Sequence, residues 1–589
     1  MPALVSINNW TKAHIAKGDR LLVLLSIAVG FLSGTGAAIM KNAVHFIKSL
    51  IHSNNFEDLS AGLFFLYPFI GITLTVLFVK YVIKQKVGHG IPSVLYAISK
   101  NNAYMKVHNT FSSIITSTLT VGFGGSVGLE GPAVATGSAI GANLGKLFHL
   151  TYKQRILLLG SASAAAMAAI FKSPIAGVVF ALEVIMIDLN TRSIIPILFA
   201  SMSGYITSYL FLGQNILYPF PTQDTFVIGE VPYYIFLGVF TGLIAVYFTR
   251  SYVLTERLFK GINSPVKKLI TGCLLLGALI YFFPALYGEG YEVINASLHG
   301  EVNYLFTNSV FEPLKDNVYA VVLLLLAIVG LKIFATSITF NAGGIGGIFA
   351  PTLFMGANTG LLLATVSNKL NIVHITPNNS ALVAMGGLIA GVLHAPLTGI
   401  FLIAEITHGY GLFFPLMLAA AASYATVKFF EKNNVYTIQL ARKSELLTHH
   451  YDRNALSRMS ILEIIETDFS PVKKEDTLGS LVKVVSNSSR NIFPVVDEDN
   501  NFEGIVSLDR LRKIMFRPAL YDKIKVAGIM EHPETTVQYN ETMENIASKI
   551  QYGNVYNAVV LENGKYMGFV SKSNVFSKYR SLLKEMSDD

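Results

Sequence analysis

Charge and cysteine are the two things this chain has little of. Of 589 residues only 14% are Asp, Glu, Lys or Arg while 52% are hydrophobic, and the mean hydropathy is +0.50. A soluble domain carries about a quarter charged residues, so this balance excludes an ordinary soluble protein and predicts a membrane protein. The single cysteine, Cys273, excludes an intrachain disulfide and a cysteine-based metal site, and no metal is expected. No HExxH or paired-Asp motif lies in the apolar segments, so no enzyme is predicted. A basic stripe interleaved with aromatics is missing too. The net charge of +8 is scattered between apolar runs and along the tail, the pattern of cytoplasmic loops rather than of a nucleic-acid surface. Residues 1–20 are mixed polar and run into a full-length apolar stretch with no small-residue cleavage site. They read as an amphipathic cytoplasmic lead-in, with Leu21 opening the first span, rather than as a signal peptide.

What is there is a succession of apolar stretches from Leu21 to about Phe430. Those at 21–40, 62–80, 155–170, 194–212, 232–249, 268–284, 318–336 and 412–430 are continuous. Those at 113–127, 133–148, 174–187, 347–364, 380–393 and 396–406 are short or broken by Gly and Pro. A helix crossing the hydrocarbon core needs roughly 20 apolar residues. Shorter segments persist at membrane depth where they line a cavity or are buried in protein, which makes them the place to look for a transport site.

The membrane part repeats. GGSVGLEGP (124–132) returns as GGIGGIFAP (343–351), 219 residues on, and KSPIAGVVFALE (172–183) returns as HAPLTGIFLIAE (394–405), 222 on. Two unrelated motifs in one order at nearly one spacing predict two homologous halves, about 21–215 and 230–440, within a membrane domain of 21–440. The binding site is expected at their interface near the bilayer midplane. Sequence leaves open whether the halves are parallel or inverted. Beyond them, 441–458 is a polar linker, and the tail holds a second repeat: FPVVDEDNNFEGIVSLDRL (493–511) matches NAVVLENGKYMGFVSKSNVF (557–576). Each unit, 459–516 and 523–582, reads as β-α-β-β-α.

Three Gly-rich turns precede apolar helical segments: GHGIP (88–92), GSVGLEGP (125–132) and GGIGGIFAP. Glycine lets the backbone turn sharply and approach a ligand, and Pro suits the first helical turn. The free N–H groups and positive dipole end of a helix start hold an anion without a fixed charge. Such binding is weak enough to release, as conduction requires. Glu130 sits in the middle turn. A membrane-embedded carboxylate is costly unless paired or protonated, which marks it as functional.

GHGIP, GLEGP and GGIFAP in this order, followed by Tyr436 in NNVYTIQL, resemble the CLC chloride channels and chloride/proton antiporters, and the tail is similar to the paired CBS domains many of them carry. The resemblance implies an all-α polytopic membrane domain of CLC type, built as two inverted repeats of broken helices and followed by an α/β cytoplasmic CBS pair. It also implies a homodimer embedded in membrane lipid, with one pore per subunit and both termini cytoplasmic. Carried over by position, Glu130 is the gate: it competes with the anion for the same donors and opens the path when protonated or displaced. Gly88, His89, Gly90, Ile91, Pro92, Gly128, Leu129, Gly131, Gly347, Ile348, Phe349, Ala350 and Tyr436 line the anion path. In the resemblance, the amides of Ile348 and Phe349 and the hydroxyl of Tyr436 contact the central anion.

The departures carry information. The residue before the gate is usually basic and here is Leu129, which predicts a weaker positive field and a lower rate. The middle of the first motif is usually Ser and here is His89, a donor whose charge depends on pH, so the preference among chloride, nitrate and fluoride is open. The position of the antiporters' second, proton-passing glutamate is Val184, which holds no proton. Neighbouring Glu183 and its counterpart Glu405 read as structural carboxylates. In the tail, Ser507 and Ser571 end the two G-h-V-S motifs, but the ribose-binding acid expected three residues later is Arg510 and Asn574, with Asp509 one place early. A structural and dimerising role leads there, and an adenine nucleotide bound near Ser507, Asp509, Ser571 and Asn574 is the alternative. The expectation is a passive CLC-type anion channel with chloride as its transported ligand and no other cofactor. A proton-coupled exchanger is the alternative, and a membrane sensor without flux is remote.

Overall fold

The computed structural model describes residues 18–51, 64–185 apart from Lys86 and His89, 191–213, 227–438 apart from His408, Leu456, and 459–586 apart from Glu534 and Asn554. The lead-in up to residue 17, most of the 441–458 linker and His89 lie outside the described residues. The chain divides into two compact units, Met1–Leu446 and Leu447–Asp589.

The first unit is helical, and its halves match helix for helix. The first half runs Gly18–Ile51, Tyr67–Phe78, Ile91–Lys100, Asn109–Gly122, Glu130–Leu147, Tyr152–Phe171, Pro174–Glu183 and Thr191–Leu212. The second runs Val231–Lys260, Pro265–Phe282, Tyr291–Leu298, Val318–Asn341, Phe349–Lys369, Pro377–Leu393, Pro396–Ile406 and Phe413–Phe430. Among the described residues nine helices are long and apolar enough to cross a membrane, the first from Arg20 and the last ending at Phe430. The apolar stretches find their helices, within a few residues at most ends. The largest differences are the first helix, which continues to Ile51 past the apolar run ending at 40, and Val231–Lys260, which continues as far past the run ending at 249. Two short helices, Ile91–Lys100 and Tyr291–Leu298, have no counterpart among the apolar stretches.

Small residues let the long helices approach. A side chain at Gly30 or Gly34 would strike Ala200 or Gly204 and Thr207, and one at Gly238 or Gly242 would strike Ala419 or Ser423 and Thr426. The two halves thus use the same four-residue glycine spacing, 208 residues apart, for the same packing.

The halves are inverted. Glu183, at the C-terminal end of its helix, accepts from the amides of Leu397 (3.0 Å) and Thr398 (2.7 Å) and from the Thr398 hydroxyl (2.7 Å). Glu405, at the equivalent end, accepts from the amides of Ile175 (3.0 Å) and Ala176 (2.8 Å). Each carboxylate supplies the partners that the other helix's first turn lacks. Equivalent helices that meet end to start in both directions run antiparallel, which parallel repeats do not do.

In the second unit the expected strand–helix–strand–strand–helix modules form, with their lead segments exchanged. Ile492–Val496 and Phe502–Ser507 pair antiparallel, as do Asn557–Glu562 and Lys565–Ser571. Ile465–Glu466, ahead of the first module, adds to the second hairpin opposite Val570 and Phe569, whereas Glu531 bridges back to Ile505 of the first. The strand Thr536–Gln538 runs parallel to Asn557–Glu562, and Val472 makes the equivalent parallel bridge to Val495. Phe493, Val495 and Val506 are fully buried in one core, and Ala558, Val560 and Val570 in the other.

Candidate functional site

The three Gly-rich turns meet backbone to backbone. Gly128 and Gly347, equivalent residues of the two halves, each donate their amide to the other's carbonyl, at 2.9 and 2.7 Å. Gly90 has φ +72°, and a Cβ there would lie 2.7 Å from the Gly131 carbonyl carbon; one on Gly347 would lie 2.8 Å from the Gly131 nitrogen. Only glycine permits this approach. Helices start at Ile91, Glu130 and Phe349, and none has a side-chain cap on its first amides. The donors that three helix starts leave unpaired therefore face one small region.

That region is buried. Glu130, Phe349 and Ala350 are wholly buried, Leu129 is 2% exposed and Ile348 4%. Gly128, Gly131 and Gly347 are buried as well, whereas Gly88 and Pro92 are half-buried. The Phe349 ring packs on Phe171 with centroids 5.1 Å apart. Oε1 of Glu130 accepts from the Tyr291 hydroxyl, while Oε2 is buried with no hydrogen-bond partner. The Tyr436 hydroxyl is also buried and unpartnered, within electrostatic reach of Glu130. Asn434 fixes its backbone: Oδ1 accepts from the Tyr436 amide at 3.0 Å, and Nδ2 donates to the Leu393 carbonyl at 2.8 Å. Two orphaned polar atoms in a buried site are costly unless something else meets them in use.

Sequence reasoning missed several neighbours. Tyr291 opens a helix too short to register as a span. Lys332 and Glu289 are buried and Lys41 is half-buried, and Lys41 acts electrostatically on Glu130. Leu129 supplies no positive charge beside the gate, and the fold brings Lys41 to it from a distant helix. Lys332, the one charged residue in Val318–Asn341, was the available signal. Val184 is 1% exposed at the end of its helix and carries no proton, and Glu183 and Glu405 are engaged as caps.

In the tail, Ser507 Oγ lies 3.2 Å from Glu531 Oε1, and Arg510 pairs with Glu531 Oε2 at 3.1 Å. Asn574 donates to Glu466 at 2.9 Å and its amide to Ser571 Oγ at 3.2 Å, while Asp509 pairs with Arg512. Each position where a ribose-binding acid would stand is held by an acidic residue of an exchanged lead segment. The Arg490 guanidinium grips Asp468 at 2.5 Å and Glu466 at 2.6 Å, and holds the Asp468 carboxyl below its usual range. Among the described residues no three His, Cys, Asp or Glu side chains gather as metal ligands.

The model of the voltage gated chloride channel family matches residues 70–428, and the CBS domain model matches 461–517 and 526–581. A putative chloride channel protein ClcB-like of Ralstonia nicotianae is 30% identical over 387 residues, covering 64% of this chain and 86% of its own. An H(+)/Cl(−) exchange transporter ClcA of Vibrio cholerae is 26% identical over 438 residues, covering 72% and 89%. Among solved structures, a slow cyanobacterial Cl−/H+ antiporter superposes with a TM-score of 0.61 at 22% identity, covering 72% of this chain and 97% of its own. A eukaryotic CLC transporter does so with a TM-score of 0.57 at 17% identity, covering 94% and 97%. These two likenesses establish a shared fold.

Proposed function

The chain belongs to the voltage gated chloride channel (CLC) family, and from that premise we propose that it exchanges chloride for protons across the membrane through the site at Glu130. It is a multi-pass integral membrane protein of an anion-transporting family. The observation that carries the reading is the pair of orphaned polar atoms, Glu130 Oε2 and the Tyr436 hydroxyl, beside three uncapped helix starts. A carboxylate that occupies an anion's donors blocks the path while ionised. Protonation removes the charge, and the side chain then gives way to an anion. The amides of Ile348 and Phe349 and the Tyr436 hydroxyl hold the central anion. Gly88, Gly90, Ile91, Pro92, Gly128, Leu129, Gly131, Gly347 and Ala350 form the walls.

Coupling to protons is supported by the ClcA relative, an H(+)/Cl(−) exchange transporter by name, and it displaces the passive channel expected from sequence. In this chain a proton reaching Glu130 from the cytoplasmic side travels by water, because Val184 offers no side-chain step. The passive channel is the second reading, and the buried Val184 is the observation that favours it. Further parts of the proposal are a homodimer with cytoplasmic termini, a dimerising CBS pair, and an anion preference tuned by His89. Glu130→Gln, reconstituted in vesicles, tests the gate: anion flux should persist and lose its dependence on external pH. Unchanged pH dependence would remove Glu130 from the gate.

A further inference from the structure

The second half has its own version of the first anion motif. Gly288-Glu289-Gly290-Tyr291 stands 200 residues after Gly88-His89-Gly90-Ile91. Gly90 has φ +72° and Gly290 φ +87°, and each is followed at once by a matching short helix. In the second half, His89 is replaced by Glu289.

This turn is tied to the gate motif along its length. Gly288 donates its amide to the Gly124 carbonyl at 2.9 Å, and Ser126 Oγ donates to the Leu286 carbonyl at 2.7 Å. The Tyr291 hydroxyl donates to Glu130, and the Leu129 amide lies within hydrogen-bonding reach of the Glu289 carboxylate. Glu289 is 7% exposed.

Three lysines converge on it. Lys48 Nζ is 4.0 Å from Glu289 Oε2, and its side chain, 32% exposed, reaches toward the surface. Lys332 is wholly buried; its Nζ donates to the carbonyls of Leu286 (3.3 Å) and Gly288 (3.0 Å) and lies 4.6 Å from the Phe354 ring centre. Lys41 donates to the Ile170 carbonyl at 2.6 Å and acts on both Glu289 and Glu130. With all five groups ionised, three ammoniums against two carboxylates leave one positive charge. When Glu130 loses its charge, that excess doubles, and an anion is the natural counter-charge.

We propose that Glu289 is a positioning residue that sets the anion affinity of this mouth. Ionised, it screens the lysines and occupies the Leu129 amide; neutralised, it leaves both to the incoming anion. The lysines thereby supply the field that a basic residue at Leu129 would have given. The inference rests on the site being an anion path.

Chloride uptake into vesicles carrying the full chain, followed against chloride concentration, tests it. Glu289→Gln should lower the half-saturating chloride by about threefold or more, since a local field of one charge changes anion concentration at least that much. Glu289→Asp should stay with the wild type, and Lys48→Gln should move the other way. A half-saturating chloride that is unchanged or raised in Glu289→Gln, with wild-type flux intact, overturns the inference. So does a shift of Glu289→Gln and Lys48→Gln in the same direction, which is what general damage to the turn would produce. If Glu289→Gln does not fold, Lys48→Gln decides alone: a weaker chloride dependence supports the inference and an unchanged one overturns it. Wild-type vesicles that take up no anion would contradict the transport reading itself.

Discussion

Gly128 and Gly347, 219 residues apart, exchange amide-to-carbonyl hydrogen bonds in both directions. They are the same position in the two halves, so the pseudo-two-fold axis passes between them. Glu130 and Phe349, two residues further along each copy, start the helices on either side. The carboxylate therefore stands where an inverted pair of helix starts converges.

Gly347→Ala should destabilise the membrane unit. The new Cβ would meet backbone atoms of Gly131, which have no rotamer to escape into. Overpacking of this kind costs about 1–3 kcal/mol. Thermal unfolding in detergent should show a lowered midpoint and vesicles a loss of flux. Gly411→Ala, with open space at its Cβ, is the neutral control.

Tyr291→Phe should ease the gate. It removes the hydrogen bond to Oε1 of Glu130, and a bond to a charged group is worth about 1.5–3 kcal/mol. Anion flux at neutral pH should rise, by roughly tenfold or more if gate displacement limits the rate. An unchanged rate would mean that Tyr291 does not hold the carboxylate in the working protein.

Glu183→Gln and Glu405→Gln should act alike, because each removes the charge from the other helix's cap. Each should lower stability by about 1–3 kcal/mol, and the double variant should cost less than the two together, since the sites share one interface. Thermal midpoints of the three variants check this. Full additivity would deny the coupling.

The helices were legible in the sequence because apolar length and Gly-Pro breaks are local signals. So were the three turns, and so were Glu183 and Glu405 as structural carboxylates, because a repeat shows which positions both halves keep. Tyr291 was not legible. Its helix is eight residues long and buried in protein, and its partner lies 161 residues away. The lysines escaped for the same reason: Lys41, which acts on Glu130, and Lys332, which acts on Glu289, come from helices far from the motif in sequence. The exchanged lead segments of the tail escaped as well, since a two-residue strand at Ile465–Glu466 carries no periodicity.

In the tail, the Asp468–Arg490 contact gives a signed pH dependence. Arg490 depresses the Asp468 carboxyl in the folded state. Its stabilisation is therefore fully present above the unfolded value of about 3.9 and is lost as pH falls through the lower folded value. Unfolding of the CBS region followed from pH 6 to pH 3 should show this loss at the acid end. Asp468→Asn should flatten that part of the curve, and an unaltered curve would contradict the assignment.

The central claim, proton-coupled anion exchange at Glu130, is tested most directly by recording proton and chloride movement together in vesicles under a chloride gradient with no initial pH gradient. The account predicts that chloride running down its gradient drives protons uphill in the wild type. In Glu130→Gln chloride should move without protons. Chloride flux in the wild type with no accompanying proton movement would contradict it and leave Val184 as the mark of a passive channel.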